Sequence, residues 1–273
     1  MIFFPNAKIN IGLYITEKRK DGYHNLETVF YPVSLSDILE IQQRNDNQRI
    51  LNNTGIQIPV PFEQNLCFRA YKMIQQQYSI PEVNFHLHKI TPYGSGLGGG
   101  SSDASYTLKA LNQLFRLNIK DDELKTMAAH LGSDCPFFID NRPSFAWEKG
   151  NITEPIHLSI KGFYLILVIP DIQIDTSKAY QEIKPFKRKK SLREIVLNEP
   201  IENWNEKITN DFESNILNKY PLMKQIKQIL IEKGAAFTSL SGSGSAIYGL
   251  FKEKPALGKE LEQHFTWIEK LKY

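Results

Sequence analysis

Residues 91–105 read TPYGSGLGGGSSDAS and run straight into the spacing Ala104, Leu108, Leu111 and Phe115, which is helical. Glycine lets backbone amides approach a ligand closely, and a helix start leaves N–H groups unpaired at the positive end of its dipole. Together they make an anion site that suits phosphate. A flexible linker is the plain alternative, but a linker would not end on an amphipathic helix. The stretch therefore reads as a phosphate cradle, and the question becomes which kind.

Three familiar kinds fail. A Walker A loop ends in Gly-Lys-Ser/Thr, whereas the residue before Ser101 is Gly100. Gly94, Gly96 and Gly99 match G-x-G-x-x-G, but a dinucleotide unit needs a buried parallel strand before the loop. Here VNFHLHKI, residues 83–90, sets Val83, Phe85 and Leu87 against Asn84, His86 and His88, a half-solvated strand expected to be antiparallel. Asp121 and Asp122, at the distance of the ribose-binding acid, open a helix instead of closing a strand. The HRD and DFG companions of a protein-kinase loop are absent.

The chain has 273 residues, 41% apolar and 23% charged, which suits one large globular domain or two small ones. Its 33 basic and 30 acidic residues leave +3, so nothing global calls for nucleic acid or a membrane surface. Cys67 and Cys135 make neither a disulfide framework nor a metal spacing, which fits a reducing compartment. Pro5, Asn6, Lys8 and Asn10 interrupt the apolar N-terminus, which lacks a basic leader, so no signal peptide is expected. The longest apolar run, residues 163–169, is too short to span a bilayer. A soluble, cytoplasmic protein is expected.

Strands are expected over KINIGLYI (8–15), at both ends of LETVFYPVSLSDILEI (26–41) and at FYLILVIP (163–170), with an Asp-Gly turn at Asp21–Gly22. Helices are expected at residues 66–78, capped by Asn65, and at residues 121–131, closed by Gly132. LREIVLN (192–198), residues 210–234 and PALGKELEQHF (255–265) read as further helices. Between the last two, residues 235–251 read as strand, small-residue turn and strand. The charged stretch at 147–162 reads as a boundary. The pattern is α+β in two parts, about 1–150 and 151–273, and not an alternating βαβ sheet.

PYGSGLGGGSSDAS resembles the central P-x-x-x-G-L-G-S/G-S-S motif of the GHMP small-molecule kinases. PNAKINIGLYI (5–15) and SLSGSGSAIYGLF (239–251) stand where that superfamily's first and third motifs belong. The doubled glycines, KRKDGYHNLETVF (18–30) and HLGSDCPFFI (130–139) narrow the resemblance. They point to the branch that phosphorylates cytidine-diphosphate-linked methylerythritol for isoprenoid precursors. The resemblance implies a two-domain GHMP kinase fold: an N-terminal domain like the second domain of ribosomal protein S5, and a ferredoxin-like C-terminal domain. It implies ATP and Mg2+ as cofactors, a small-molecule acceptor, no nucleic acid and no membrane partner, and leaves open a monomer or a homodimer.

Residue by residue, the resemblance makes Asp134 and Lys8 catalytic. A tertiary alcohol is a poor nucleophile, and a carboxylate within reach accepts its proton or aligns it. A nearby ammonium keeps that carboxylate ionised and offsets phosphoryl charge. Without the resemblance, Asp134 would read as a helix cap and Lys8 as a surface strand residue. Pro92, Tyr93, Gly94, Ser95, Gly96, Leu97, Gly98, Gly99, Gly100, Ser101 and Ser102 would wrap the triphosphate. Ser102 and Asp103 are candidates for the metal, though no ligand is clear. Tyr23, His24 and Tyr180 would hold the cytosine, with His24 on the base edge and the tyrosines as stacking faces. Asn10, Asn65, Thr176, Gly242, Ser243 and Gly244 match positions near acceptor or nucleotide.

His86 and His88 lack a third ligand at a sensible spacing and read as the polar face of a strand. The basic cluster Lys184–Lys190 reads as a solvated loop. The competing functions are a GHMP kinase for another alcohol, such as homoserine or mevalonate, and a non-catalytic nucleotide- or RNA-binding module.

Overall fold

The computed structural model describes residues 1–44, 50–186 and 188–272. Lys187 of the basic cluster lies outside the described residues. In chain order the strands are β1 (Ile2–Phe3), β2 (Asn6–Lys18), β3 (His24–Ser36), β4 (Ile38–Gln43), β5 (Ile50–Gly55) and β6 (Val83–Lys89). They continue with β7 (Ser144–Trp147), β8 (Ile152–Pro155), β9 (Tyr164–Ile169), β10 (Phe237–Leu240), β11 (Ile247–Phe251) and β12 (Phe265–Lys270). The helices of the first half are α1 (Leu66–Gln77), α2 (Gly99–Leu114), α3 (Asp121–Leu131) and α4 (Cys135–Asp140). Those of the second are α5 (Thr176–Gln181), α6 (Leu192–Asn198), α7 (Trp204–Lys207), α8 (Glu213–Lys219), α9 (Pro221–Glu232) and α10 (Lys259–Glu262).

The chain divides into two compact units that interleave in sequence. One comprises Met1–Lys8, Ser34–Tyr93 and Gly98–Arg142; the other comprises Ile9–Val33, Gly94–Leu97 and Pro143–Tyr273.

In the first unit the sheet order is β1-β4-β6-β5. β6 pairs antiparallel with β4, as the alternation of residues 83–89 implies, but parallel with β5, which no sequence pattern reveals. Leu39, Ile41, Phe85 and Leu87 from the sheet share one core with Tyr71 and Ile74 of α1 and with Leu108 and Leu111 of α2. Asn65 caps α1 as expected, its Oδ1 accepting from the Cys67 N–H at 2.9 Å. Cys67 and Cys135 are both free and buried.

The second unit holds the antiparallel sheet β10-β11-β9-β12, covered by α8 and α9 through Ile216, Met223, Ile226 and Leu230. The expected single helix over 210–234 is two. It breaks at Tyr220, whose φ of −123° and ψ of 88° leave the helical region. Pro221 explains the break, since it disfavours helix in the residue before it and has no N–H to donate. The expected helix at 255–265 shrinks to α10, and Phe265 instead starts β12. A further sheet has the order β2-β3-β7-β8, so the expected boundary at 147–162 contains the β7–β8 hairpin. Among the described residues no helix is long and apolar enough to cross a membrane.

Candidate active site

In the first unit, β2 begins with Asn6, Ala7 and Lys8, all buried, and Lys8 is only 2% exposed. It is no surface lysine. Its ammonium lies 3.2 Å from Oδ2 of Asp134, whose side chain keeps 33% of its surface exposed. Asp134 stands at the N-cap of α4 but makes no capping hydrogen bond. The geometry therefore gives its side chain to Lys8, and the capping alternative falls away. The pair offers a carboxylate with one oxygen on a buried ammonium and surface left open to a ligand.

The start of β2 and the far end of α4 are tied as well. Asn6 and Asn141, the C-cap of α4, exchange side-chain amide bonds of 3.1 and 2.7 Å, and the Tyr106 hydroxyl donates to Asn6 Oδ1 at 2.9 Å. Lys8 and Asp134 are thus held by two rungs, one charged and one amide.

The glycine loop enters the same place. Gly98, at φ +69°, is the N-cap of α2, and a Cβ there would stand 3.1 Å from both Lys8 Cε and Phe138 Cζ. Any larger residue would push the lysine or the ring aside. Because the N-cap is glycine, no side chain caps the first N–H groups of this 16-residue helix. Its positive end is available to an anion. Ser102 is fully buried, and its hydroxyl has no hydrogen-bond partner. A hard cation would complete it, so Ser102 fits the Mg2+ expectation. Asp103 keeps its Oδ2 on Lys89 at 2.8 Å, while its buried Oδ1, like the Ser102 hydroxyl, has no hydrogen-bond partner and fits the same cation.

Lys89, Asp103 and Asp37 form a buried ion triad that sequence reasoning missed. Its signal was the period-two alternation itself, which puts Lys89 on the face of Val83, Phe85 and Leu87. Burial penalises the Lys89 charge, yet the two carboxylates hold its pKa above the ordinary value. Burial likewise pushes the Asp103 carboxyl up to about 7, against the pull of Lys89.

In the second unit, residues 94–97 of the loop lie on the third motif. Gly96, at φ +78°, approaches so closely that a Cβ would sit 2.0 Å from the Ser241 carbonyl oxygen. The Ser241 hydroxyl donates to the Gly96 carbonyl at 2.9 Å, and the Ser95 carbonyl accepts from the Ala246 N–H at 3.0 Å. Asn10 joins the group: its N–H donates to Ser241 Oγ at 3.2 Å and its amide to Thr28 Oγ1 at 2.9 Å. Thr176 and Ser243 share a hydroxyl hydrogen bond of 2.9 Å. Gly242 and Gly244 have φ of +57° and +92°, a turn that side chains resist.

The aromatic residues also gather in this unit. His24 stacks on Tyr180 with centroids 5.4 Å apart and planes 24° apart, while Tyr180 meets Phe212 edge-on at 4.8 Å. Tyr23 is 59% exposed with the Lys149 ammonium 4.9 Å from its ring centre. Burial, and then the charge of Lys18, lower the His24 pKa from its ordinary value. The ring is neutral at pH 7 and able both to donate and to accept.

The remaining candidates have other surroundings. Asn65 Oδ1 is taken up by its helix cap. Tyr93 is 52% exposed. His86 and His88 both bond the Thr54 hydroxyl at 2.9 Å. Arg188 of the basic cluster is not a free loop charge, since it packs 3.8 Å from the Tyr14 ring centre and pairs with Asp211.

Comparison with known proteins shows which family the chain resembles. Residues 65–142 match the family described as GHMP kinases N terminal domain, and residues 191–265 match GHMP kinases C terminal. A 4-diphosphocytidyl-2-C-methyl-D-erythritol kinase from Bacteroides fragilis is 46% identical over 275 residues, covering 100% of both chains. One from Parabacteroides distasonis is 46% identical, covering 95% of this chain and 94% of its own. Among solved structures, a crystal structure of 4-(cytidine 5'-diphospho)-2C-methyl-D-erythritol kinase superposes with a TM-score of 0.79 at 28% identity. The superposition covers 98% of each chain.

Proposed function

This chain belongs to the GHMP kinases and, among them, to the 4-diphosphocytidyl-2-C-methyl-D-erythritol kinases. On that premise we propose that it transfers the γ-phosphate of ATP to the 2-hydroxyl of 4-diphosphocytidyl-2-C-methyl-D-erythritol, a step of isoprenoid precursor synthesis. The observation that carries the reading is the Lys8–Asp134 pair beside the glycine N-cap of α2.

The roles follow from the chemistry of each group. Asp134 accepts the hydroxyl proton as the new O–P bond forms and the bond to the departing ADP breaks. Lys8 holds the carboxylate in place and offsets negative charge on the transferring group. The N–H groups at the start of α2 hold phosphate oxygens, with glycines 94, 96, 98, 99 and 100 giving the backbone its reach. The buried Ser102 hydroxyl would hold Mg2+, which would supply positive charge to the nucleotide's phosphates.

Cytosine would be held by this aromatic group, with Tyr23 and Tyr180 as stacking faces and His24, which lies on the Tyr180 ring, turning to read the base edge. Thr176, Ser243 and Asn10 supply hydroxyls and an amide for the acceptor. The two family matches, 65–142 and 191–265, fall one in each of the proposed domains 1–150 and 151–273, although residues 9–33 and 94–97 pack with the second compact unit. A cytoplasmic place suits two free, buried cysteines.

The test is ADP release from Mg-ATP with 4-diphosphocytidyl-2-C-methyl-D-erythritol, mevalonate or homoserine as acceptor. Turnover with the cytidylyl acceptor alone is expected. Turnover with mevalonate or homoserine would keep the family and overturn the acceptor.

A further inference from the structure

The strand that leads into the glycine loop and the helix that leads out of it are joined by one buried ammonium. Lys89, the last residue of β6, is 2% exposed. Its Nζ donates to Asp37 Oδ2 and, at 2.8 Å, to Asp103 Oδ2 on α2. Asp37 is fully buried, and its other oxygen accepts the N–H groups of Ile90 at 2.6 Å and Thr91 at 2.7 Å. The residues just before Pro92 are thus fixed through their backbone, and the first turns of α2 through a side chain. A Cβ built on Gly99 would come within 2.9 Å of Lys89 Nζ, so the ammonium lies directly against the start of that helix.

An ammonium and two carboxyl groups taken out of water are costly to bury, and a strand and a helix can be joined as firmly by apolar side chains. What apolar contacts lack is direction. The triad offers bonds of fixed length to both stems of a loop that has little stiffness of its own. It shares no member with the Lys8–Asp134 pair.

We propose that Lys89, with Asp37 and Asp103, is a positioning clamp for the nucleotide, holding the two stems of the glycine loop together so that the amides of α2 are oriented before ATP arrives. Preorganisation of this kind raises affinity by removing the ordering cost from the binding step. The clamp rests on the reading of the glycine loop as the ATP site. It acts on ATP and leaves the cytidylyl acceptor alone, because the residues that read cytosine belong to the other unit.

The experiment is calorimetric binding of a non-hydrolysable ATP analogue and, separately, of 4-diphosphocytidyl-2-C-methyl-D-erythritol. The proteins are wild type, Lys89→Met, Lys89→Arg and Asp103→Asn, each checked for folding by its thermal transition. Lys89→Met is expected to lose at least tenfold in analogue affinity while acceptor affinity stays within twofold. Lys89→Arg keeps the charge and the fold but misfits the pocket, and is expected to show the same selective loss to a smaller degree. Asp103→Asn retains an oxygen for Lys89 but loses the carboxylate charge, and is expected to show the same selective loss of analogue affinity, smaller than that of Lys89→Met. Folded Lys89 variants that bind the analogue as wild type does, or that lose both ligands equally, would overturn the clamp alone. A wild type that binds no analogue would overturn the ATP reading and the clamp with it.

Discussion

The ammonium of Lys8 and the carboxylate of Asp134 stand 3.2 Å apart although 126 positions separate them in sequence, the one nearly buried and the other one-third exposed. A buried ammonium would be costly without its carboxylate, and a carboxylate opening to solvent is placed to meet a substrate. Replacing either residue, by Lys8→Met or Asp134→Asn, is expected to lower kcat by about 10²–10⁴-fold with a much smaller change in the KM for ATP. Because the two act together, the double variant should be barely worse than the poorer single one. Steady-state ADP release checks both points.

Gly96 and Gly94 separate steric from conformational need. Both have positive φ, but a Cβ on Gly94 would meet nothing within 4 Å, whereas one on Gly96 would strike the Ser241 carbonyl. Gly94→Ala is expected to cost about 1–2 kcal/mol, the ordinary strain of a left-handed residue. Gly96→Ala must also move backbone, so its thermal transition should fall by several degrees more. Differential scanning calorimetry of the two variants makes the comparison.

The amide rung predicts a stability effect with a specific pairing. Asn6→Ala leaves Asn141 and Tyr106 without their shared acceptor and is expected to cost about 1–3 kcal/mol. Asn141→Gly suits the left-handed cap at φ +51°, so its loss is that of the amide contacts. In a double-mutant cycle by chemical unfolding, the two losses should fall well short of adding.

His24 sets a pH limit. Its folded pKa is depressed, chiefly by burial, below the ordinary 6.5. The unfolded chain therefore binds the extra proton more readily, and the stability from a neutral His24 is present above pH 6.5 and lost as pH falls below it. Imidazole NMR is expected to give a midpoint under 6.5, and acceptor KM should be flat from about pH 8 down to that value. A midpoint at or above 6.5 contradicts the burial of this ring beside Lys18.

Much of this was legible in the sequence because local chemistry decided it. Asn65 reads as a cap from its position alone, and the glycine run announces a helix start that no side chain closes. What stayed hidden depended on partners distant in sequence. β5 shows no alternation in ILNNTG, and its parallel pairing with β6 comes from tertiary context. α4 is six residues with two adjacent phenylalanines, too short for periodicity to mark it. Lys89 lay in plain view on the apolar face of β6, but a charge there only makes sense once Asp37 and Asp103 are seen around it. The His24–Tyr180 stack joins residues 156 positions apart, and only the family resemblance brought the two together beforehand.

The most direct measurement is phosphorus NMR of the product made from Mg-ATP and 4-diphosphocytidyl-2-C-methyl-D-erythritol, with Asp134→Asn run alongside. One new phosphomonoester signal is expected, on the 2-hydroxyl, with the acceptor's diphosphate intact. The Asp134 variant should give far less in the same time while still binding an ATP analogue. A phosphomonoester at another hydroxyl, or equal product from the Asp134 variant, would contradict the assignment of this pair to the reacting hydroxyl.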